Sequence, residues 1–173
     1  DVTLAVPMLQ RLADAGFDLQ VLGKGWARDL LAGHGWPVHV LPASARERVA
    51  LLRQLKREAR AQGATAVHAL CLPDSFSSAL EFRLAGLPAL GHACEGRRLL
   101  LARALPRPQG VHELDVYWRL GSALLGQTAP LPERIGLRLT PQHLAQAQAL
   151  RQAHGLPPEC IFICPFAGGT WNQ

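Results

Sequence analysis

Apolar residues recur along the chain at helical spacing in some stretches and as short unbroken runs in others. From Val2 to Ala15, Leu4, Met8, Leu9 and Leu12 fall three and four apart, and Gly16 is placed to stop that helix. Asp18–Leu22 reads as a strand, Trp26–Ala32 as a short helix and Val38–Leu41 as a strand. Ser44 with Glu47 three residues on is a capping-box signature for a helix that runs to about Gln62 and closes at Gly63. Thr65–Leu72 is the next strand, Ser77–Ala85 a helix ending at Gly86, and Pro88–Gly91 a short strand. Arg97–Leu105 is apolar with basic punctuation and receives no assignment. His112–Leu125 is a helix closed by Gly126. Residues 129–132 (APLP) have the look of a linker, Thr140 caps a helix from Pro141 to His154, and Cys160–Pro165 (CIFICP) reads as a buried strand before a glycine-rich turn.

Strands and helices alternate throughout. That pattern predicts an α/β fold, a Rossmann-like parallel sheet with helices on both faces. Because the chain opens on a helix, a first strand is expected ahead of Asp1. The junction at residues 72–80 (LPDSFSSAL) then stands out, since an acid and three serines sit where a strand hands over to a helix. In a parallel sheet that edge is where ligands bind; helix capping explains the same residues equally well.

Composition narrows the function classes. The 173 residues are 49% hydrophobic, enough for a sizeable core. Net charge is +5 with a pI near 9.6, which favours an anionic ligand or surface. No RNA-binding aromatic motif, zinc-finger spacing or basic tail points to nucleic acid. The four cysteines form no CxxC pair and read as reduced thiols of a cytosolic protein. The seven histidines show no metal-ligand spacing, so no metal is expected. No apolar run reaches the ~20 residues that span a bilayer.

Individual motifs stay open at this level. Gly23-Lys24-Gly25-Trp26-Ala27-Arg28 nearly matches the dinucleotide fingerprint, but Arg28 holds the third glycine position and an ordinary turn fits as well. Asp1 at the head of the first helix is either an N-cap or a lone general base. The helix 44–62 carries Arg46, Arg48, Arg53, Lys56, Arg57 and Arg60, read either as a solvated face or as a platform for phosphate or carboxylate groups. Arg97, Arg98, Arg103 and Arg107 form a second cluster with Leu99–Leu101, suited to an anionic amphiphile at a membrane face. Glycines in Phe166–Thr170 (FAGGT) free backbone amides that an anion can use. The GxSxG elbow of a nucleophilic hydrolase is missing.

Taken together, these stretches resemble the ADP-heptose:lipopolysaccharide heptosyltransferases of glycosyltransferase family nine. Residues 1–7 (DVTLAVP) resemble the family's N-terminal Gly-Asp-apolar start without its glycine. Residues 72–80 with Arg83–Pro88 resemble its Pro-Asn-Ser-x-x-Ser-Ala block and Ala-Gly-(Ile/Val)-Pro sequel, with Asp74 for the asparagine. Residues 95–101 (EGRRLLL), with His112-Glu113 and Tyr117, extend the likeness. Residues 163–167 (ICPFA) resemble the loop that opens the donor domain, with Cys164 for histidine and Phe166 for glycine.

The resemblance implies the N-terminal half of a GT-B two-domain glycosyltransferase. Residues 1–128 would be the acceptor-binding domain, and 129–173 the linker and start of the nucleotide-sugar domain. It implies inverting transfer of heptose from ADP-heptose to the lipid A–Kdo inner core, with no obligatory cofactor and no metal. Asp1 would be the catalytic base. Asp74, Ser75, Ser77, Arg97, Arg98, Arg46 and Arg53 would bind the acceptor, and Phe166, Ala167, Gly168, Gly169 and Thr170 the donor. The enzyme would be cytoplasmic and peripheral to the inner membrane, and these residues alone inactive. A related transferase with another nucleotide-sugar donor, or a noncatalytic protein binding a nucleotide or anionic glycolipid, are the alternatives.

Overall fold

A computed structural model describes residues 2–163. Two compact units divide between Arg138 and Leu139. The first contains helices α1 (Val2–Asp14), α2 (Trp26–Leu31), α3 (Ala45–Ala61), α4 (Phe76–Leu84) and α5 (Glu113–Leu125), with strands β1 (Val21–Gly23), β2 (Val38–Val40), β3 (Ala69–Cys71), β4 (Ala89–His92) and β5 (Arg103–Leu105). The second contains α6 (Pro141–Ala153). The proline-rich stretch lies in the first unit, where the Ala129 carbonyl accepts from Trp118 Nε1 at 2.8 Å.

Every strand pair is parallel, β1 with β2 and, separately, β3-β4-β5 with β4 central. The three-stranded sheet is covered on both faces. Val49 and Leu52 of α3 and Ala79 of α4 pack with Cys71 and Ala89 on one side. Ala5, Met8, Leu9 and Leu12 of α1 pack with Tyr117, Trp118 and Leu120 of α5 and with Leu90 on the other. Successive strand residues therefore serve opposite cores, which is why these strands read as apolar runs without alternation. The parallel α/β architecture expected from the sequence is the one observed.

Local chemistry sets the helix ends where the sequence suggests. Gly126, at φ +67°, closes α5 in the left-handed region. Thr140 caps α6 in a reciprocal box with His143. At α3 the box is altered: Ser44 Oγ accepts from the Glu47 amide (3.2 Å) but also donates to the Glu47 carboxylate (2.7 Å).

Two expectations are corrected, and one unassigned stretch gains its elements. The strands expected over 18–22 and 65–72 shrink to Val21–Gly23 and Ala69–Cys71, because a strand persists only where its neighbour offers a ladder. The unassigned stretch 97–105 supplies a turn of 3-10 helix (Arg97–Leu99) and then β5. Residues 160–163 form no strand, and Ile161 and Ile163 are strongly exposed, since no neighbouring strand among the described residues pairs with them. The rest of CIFICP lies outside the described residues. No helix among those described is long and apolar enough to cross a membrane.

Candidate active site

Because β3, β4 and β5 run the same way, the segments that follow them gather at one carboxyl edge. They are the β3–α4 loop (72–75), the turn after β4 (93–97) and the β5–α5 segment (106–112). The loop at 72–75 is held there chiefly by Arg97. Its side chain is 0% exposed. Nε donates to the His92 carbonyl (2.7 Å), Nη1 to the Pro73 and Ser75 carbonyls (3.3 Å to Ser75), and Nη2 to Asp74 Oδ1 (3.1 Å). Gly96, at φ +73°, and Glu95, at φ +48°, both occupy the left-handed region and so turn the chain to bring Arg97 inward.

Asp74 takes a second arginine. Arg107 Nε donates to Asp74 Oδ2 at 2.8 Å, and Arg107 Nη2 donates to Glu113 at the start of α5. A chain of charges, Arg97–Asp74–Arg107–Glu113, thus ties the β3 loop to α5. These hydrogen bonds hold Arg107 firmly protonated. The Asp74 side chain remains 34% exposed, so its carboxylate is both anchored and accessible.

The serines divide their work. Ser75 is the N-cap of α4, accepting from the Ser78 amide (3.4 Å). The Glu95 carboxylate accepts from the Phe76 amide (3.3 Å), so protein groups already fill the head of α4 and it is no open anion nest. Ser77 is exposed, and its hydroxyl donates to Ser75 Oγ (3.3 Å).

Two thiols and a phenol border this edge. Burial raises the Cys71 thiol, and burial followed by the Asp74 charge raises that of Cys94. Tyr117 is raised by burial and then by Glu113 and Asp74. All three stay protonated at neutral pH, so the edge offers no thiolate nucleophile. It offers balanced charge and exposed oxygens, a surface suited to a polyhydroxylated ligand.

The sequence expectations fare unevenly here. Asp74, Ser75 and Ser77 come together at the carboxyl edge. Arg97 reaches that edge but faces inward, a correction to its expected contact with an anion: its donors are spent on backbone carbonyls and Asp74. Arg98 next to it is exposed. Arg46 is exposed in the first turn of α3, which starts from the carboxyl end of β2. Arg53 is also corrected. It lies midway along α3, which runs back toward the amino edge, and it donates to the Leu84 carbonyl (2.9 Å) at the end of α4. Arg107 carries no signal in the sequence beyond its basic cluster, and Glu113 none beyond the likeness at His112-Glu113. Recognising β5 would have placed Arg107 two residues beyond a strand end. Asp1 and Phe166–Thr170 lie outside the described residues.

The same arrangement of strands and helices occurs in a solved structure, that of E. coli ADP-heptose LPS heptosyltransferase II. The match has a TM-score of 0.56 and 21% identity, and covers 92% of this chain and 48% of that one. The fold is that of about half a heptosyltransferase. No protein-family model and no curated protein matches the chain.

Proposed function

We propose that this chain is the acceptor-binding half of an inverting glycosyltransferase that moves heptose from ADP-heptose to the lipid A–Kdo inner core of lipopolysaccharide. The observation that carries the proposal is a fold shared with a heptosyltransferase over 92% of the chain, with the 72–80 block at the carboxyl edge of its sheet. Residues 129–173 then contain the linker and the opening of the nucleotide-sugar half.

In this reading the Asp1 carboxylate takes the proton of an acceptor hydroxyl as that oxygen attacks the anomeric carbon. The bond to the diphosphate breaks, ADP departs with the electron pair, and the configuration inverts. One carboxylate suffices, since no glycosyl-enzyme forms. Asp74, Ser77, Arg107 and Glu113 hold sugar hydroxyls, while Arg98 and Arg46 meet the acceptor's anionic groups. Backbone amides of Phe166–Thr170 receive the charge that develops on the diphosphate. The protein works at the cytoplasmic face of the inner membrane, and the 173 residues alone carry out no transfer.

The test is Asp1→Asn in a chain with both halves present. Transfer should be abolished while ADP-heptose binding is kept; wild-type turnover would remove Asp1 from the mechanism. A noncatalytic glycolipid-binding protein would bind acceptor and show no turnover with either residue at position 1.

A further inference from the structure

The cations from the middle of α3 onward sit at the opposite end of the sheet from the site described above. Arg53, Lys56, Arg57 and Arg60 follow the spacing i, i+3, i+4, i+7, which aligns them on one helix face. With Ala85 they line an open groove of about 370 Å3 that no carboxylate lines. Glu58 of the same helix is engaged by Gln54 (2.8 Å).

Their positions are fixed by backbone carbonyls at the end of α4 and in the loops that follow α3 and α4. Arg53 donates to Leu84 O (2.9 Å), Lys56 to Gly86 O (2.6 Å), and Arg60 to Ala64 O (2.9 Å) and Thr65 O (2.6 Å). Those carbonyls are neutral dipoles that offset part of the repulsion and cannot balance four full positive charges. Arg57 is exposed and takes no part in these caps. Leu84, whose carbonyl holds Arg53, exposes 54% of its surface beside the row.

We propose that this face of α3 docks the protein on an anionic phospholipid bilayer. The row spans roughly 10 Å at 1.5 Å per residue and lies open rather than enclosed, which matches a plane of headgroups better than a small ligand. Long cationic side chains beside an exposed leucine are the pattern of a surface that rests at the lipid interface. Docking through the amino edge leaves the carboxyl edge free for substrates. The inference rests on the proposed placement at the inner membrane and deepens it by naming the face that docks; vesicle binding is read independently of transfer.

The test is co-sedimentation of the 173-residue chain with vesicles of phosphatidylcholine, alone or mixed with phosphatidylglycerol. The chain should bind the mixed vesicles and release from them as salt is raised. Each basic group near such a surface is worth about fivefold in binding. Arg57→Gln, which leaves the caps intact, should lower binding by about that factor. The quadruple change R53Q/K56Q/R57Q/R60Q, checked for folding by circular dichroism, should reduce it to the level on neutral vesicles. Arg134→Gln, an equal charge loss elsewhere, should bind like wild type. Equal binding to both vesicle types, an unaffected Arg57→Gln, an Arg134→Gln that loses as much, or equally tight binding to a DNA duplex would each overturn the proposal.

Discussion

Replacing Arg97 by methionine should cost more stability than any other change at the carboxyl edge. The substitution keeps an unbranched apolar stem and removes the guanidinium. The carbonyls of His92, Pro73 and Ser75 then lose a charged donor together. None is left without a partner, since His92 O keeps the Cys94 amide (2.9 Å) and Ser75 O the Ser78 hydroxyl (2.8 Å), so what is lost is charge-assisted hydrogen bonds, at most about 1.5–3 kcal/mol each. Asp74 is not orphaned, because it keeps Arg107 and is one-third exposed, so the full penalty for a lone buried charge does not apply. Pro73 is itself exposed, and water can recover part of its loss. With every acceptor and Asp74 still partnered, the sum is about 2–4 kcal/mol. For a chain of this size that is roughly 4–16 °C in melting temperature. The assay is urea and thermal unfolding of wild type, Arg97→Met and Arg98→Met. Arg98→Met is the internal control and should stay within about 0.5 kcal/mol, as exposed substitutions do. An Arg97→Met protein as stable as the Arg98→Met one would refute the account of how the loop is held.

Further outcomes follow from other packing and ionisation features. A Cβ at Gly33 would lie 2.1 Å from the Arg138 backbone oxygen, whereas one at Gly121 would meet the Met8 side chain at 2.5 Å. Gly33→Ala should therefore destabilise by about 1–3 kcal/mol and Gly121→Ala by less, measured by urea unfolding, because methionine can move and a carbonyl cannot without its chain. The Ser75→Ala change should cost about 1 kcal/mol through the lost cap on α4, readable as a lower urea midpoint. His34 is lowered by burial and then by the Arg138 charge, and its Nε2 accepts from the Arg138 amide (3.2 Å). A folded-state value below the ordinary 6.5 means that the unfolded chain binds the proton first. The stability His34 contributes is thus complete above that value and lost as pH falls through the folded one. His34→Gln should flatten the stability profile on the acid side of pH 6.5, as followed by unfolding at a series of pH values.

The sequence reveals what is decided locally. Ser44, Thr140 and Gly126 mark helix ends by chemistry that acts within one turn, and all three are where the pattern puts them, while among the polar residues of the 72–80 junction it is Ser75 that caps α4. The parallel α/β architecture is legible for the same reason, since it follows from the order of elements. Strand lengths are not, because a strand ends where its neighbour does. β5 goes unseen because Arg103 and Ala104 carry no strand signal of their own and owe their conformation to β4. Arg97 and Arg98 are indistinguishable as letters, yet one is wholly buried and the other exposed; only the inward turn at Glu95-Gly96 separates them. The place of Arg53 was within reach of the sequence. A helix that follows a strand must run back, so from its middle onward it cannot serve the carboxyl edge.

The central claim is that the carboxyl edge around Asp74 receives a sugar acceptor. Amide chemical-shift mapping of the 173-residue chain, titrated with lipopolysaccharide inner-core oligosaccharide lacking heptose, tests it most directly. The account predicts shifts confined to residues 46, 74–78, 95–98, 107 and 113, and their loss in an Arg107→Gln variant. Shifts gathered instead along Arg53–Arg60, or no binding by a folded chain, would contradict it.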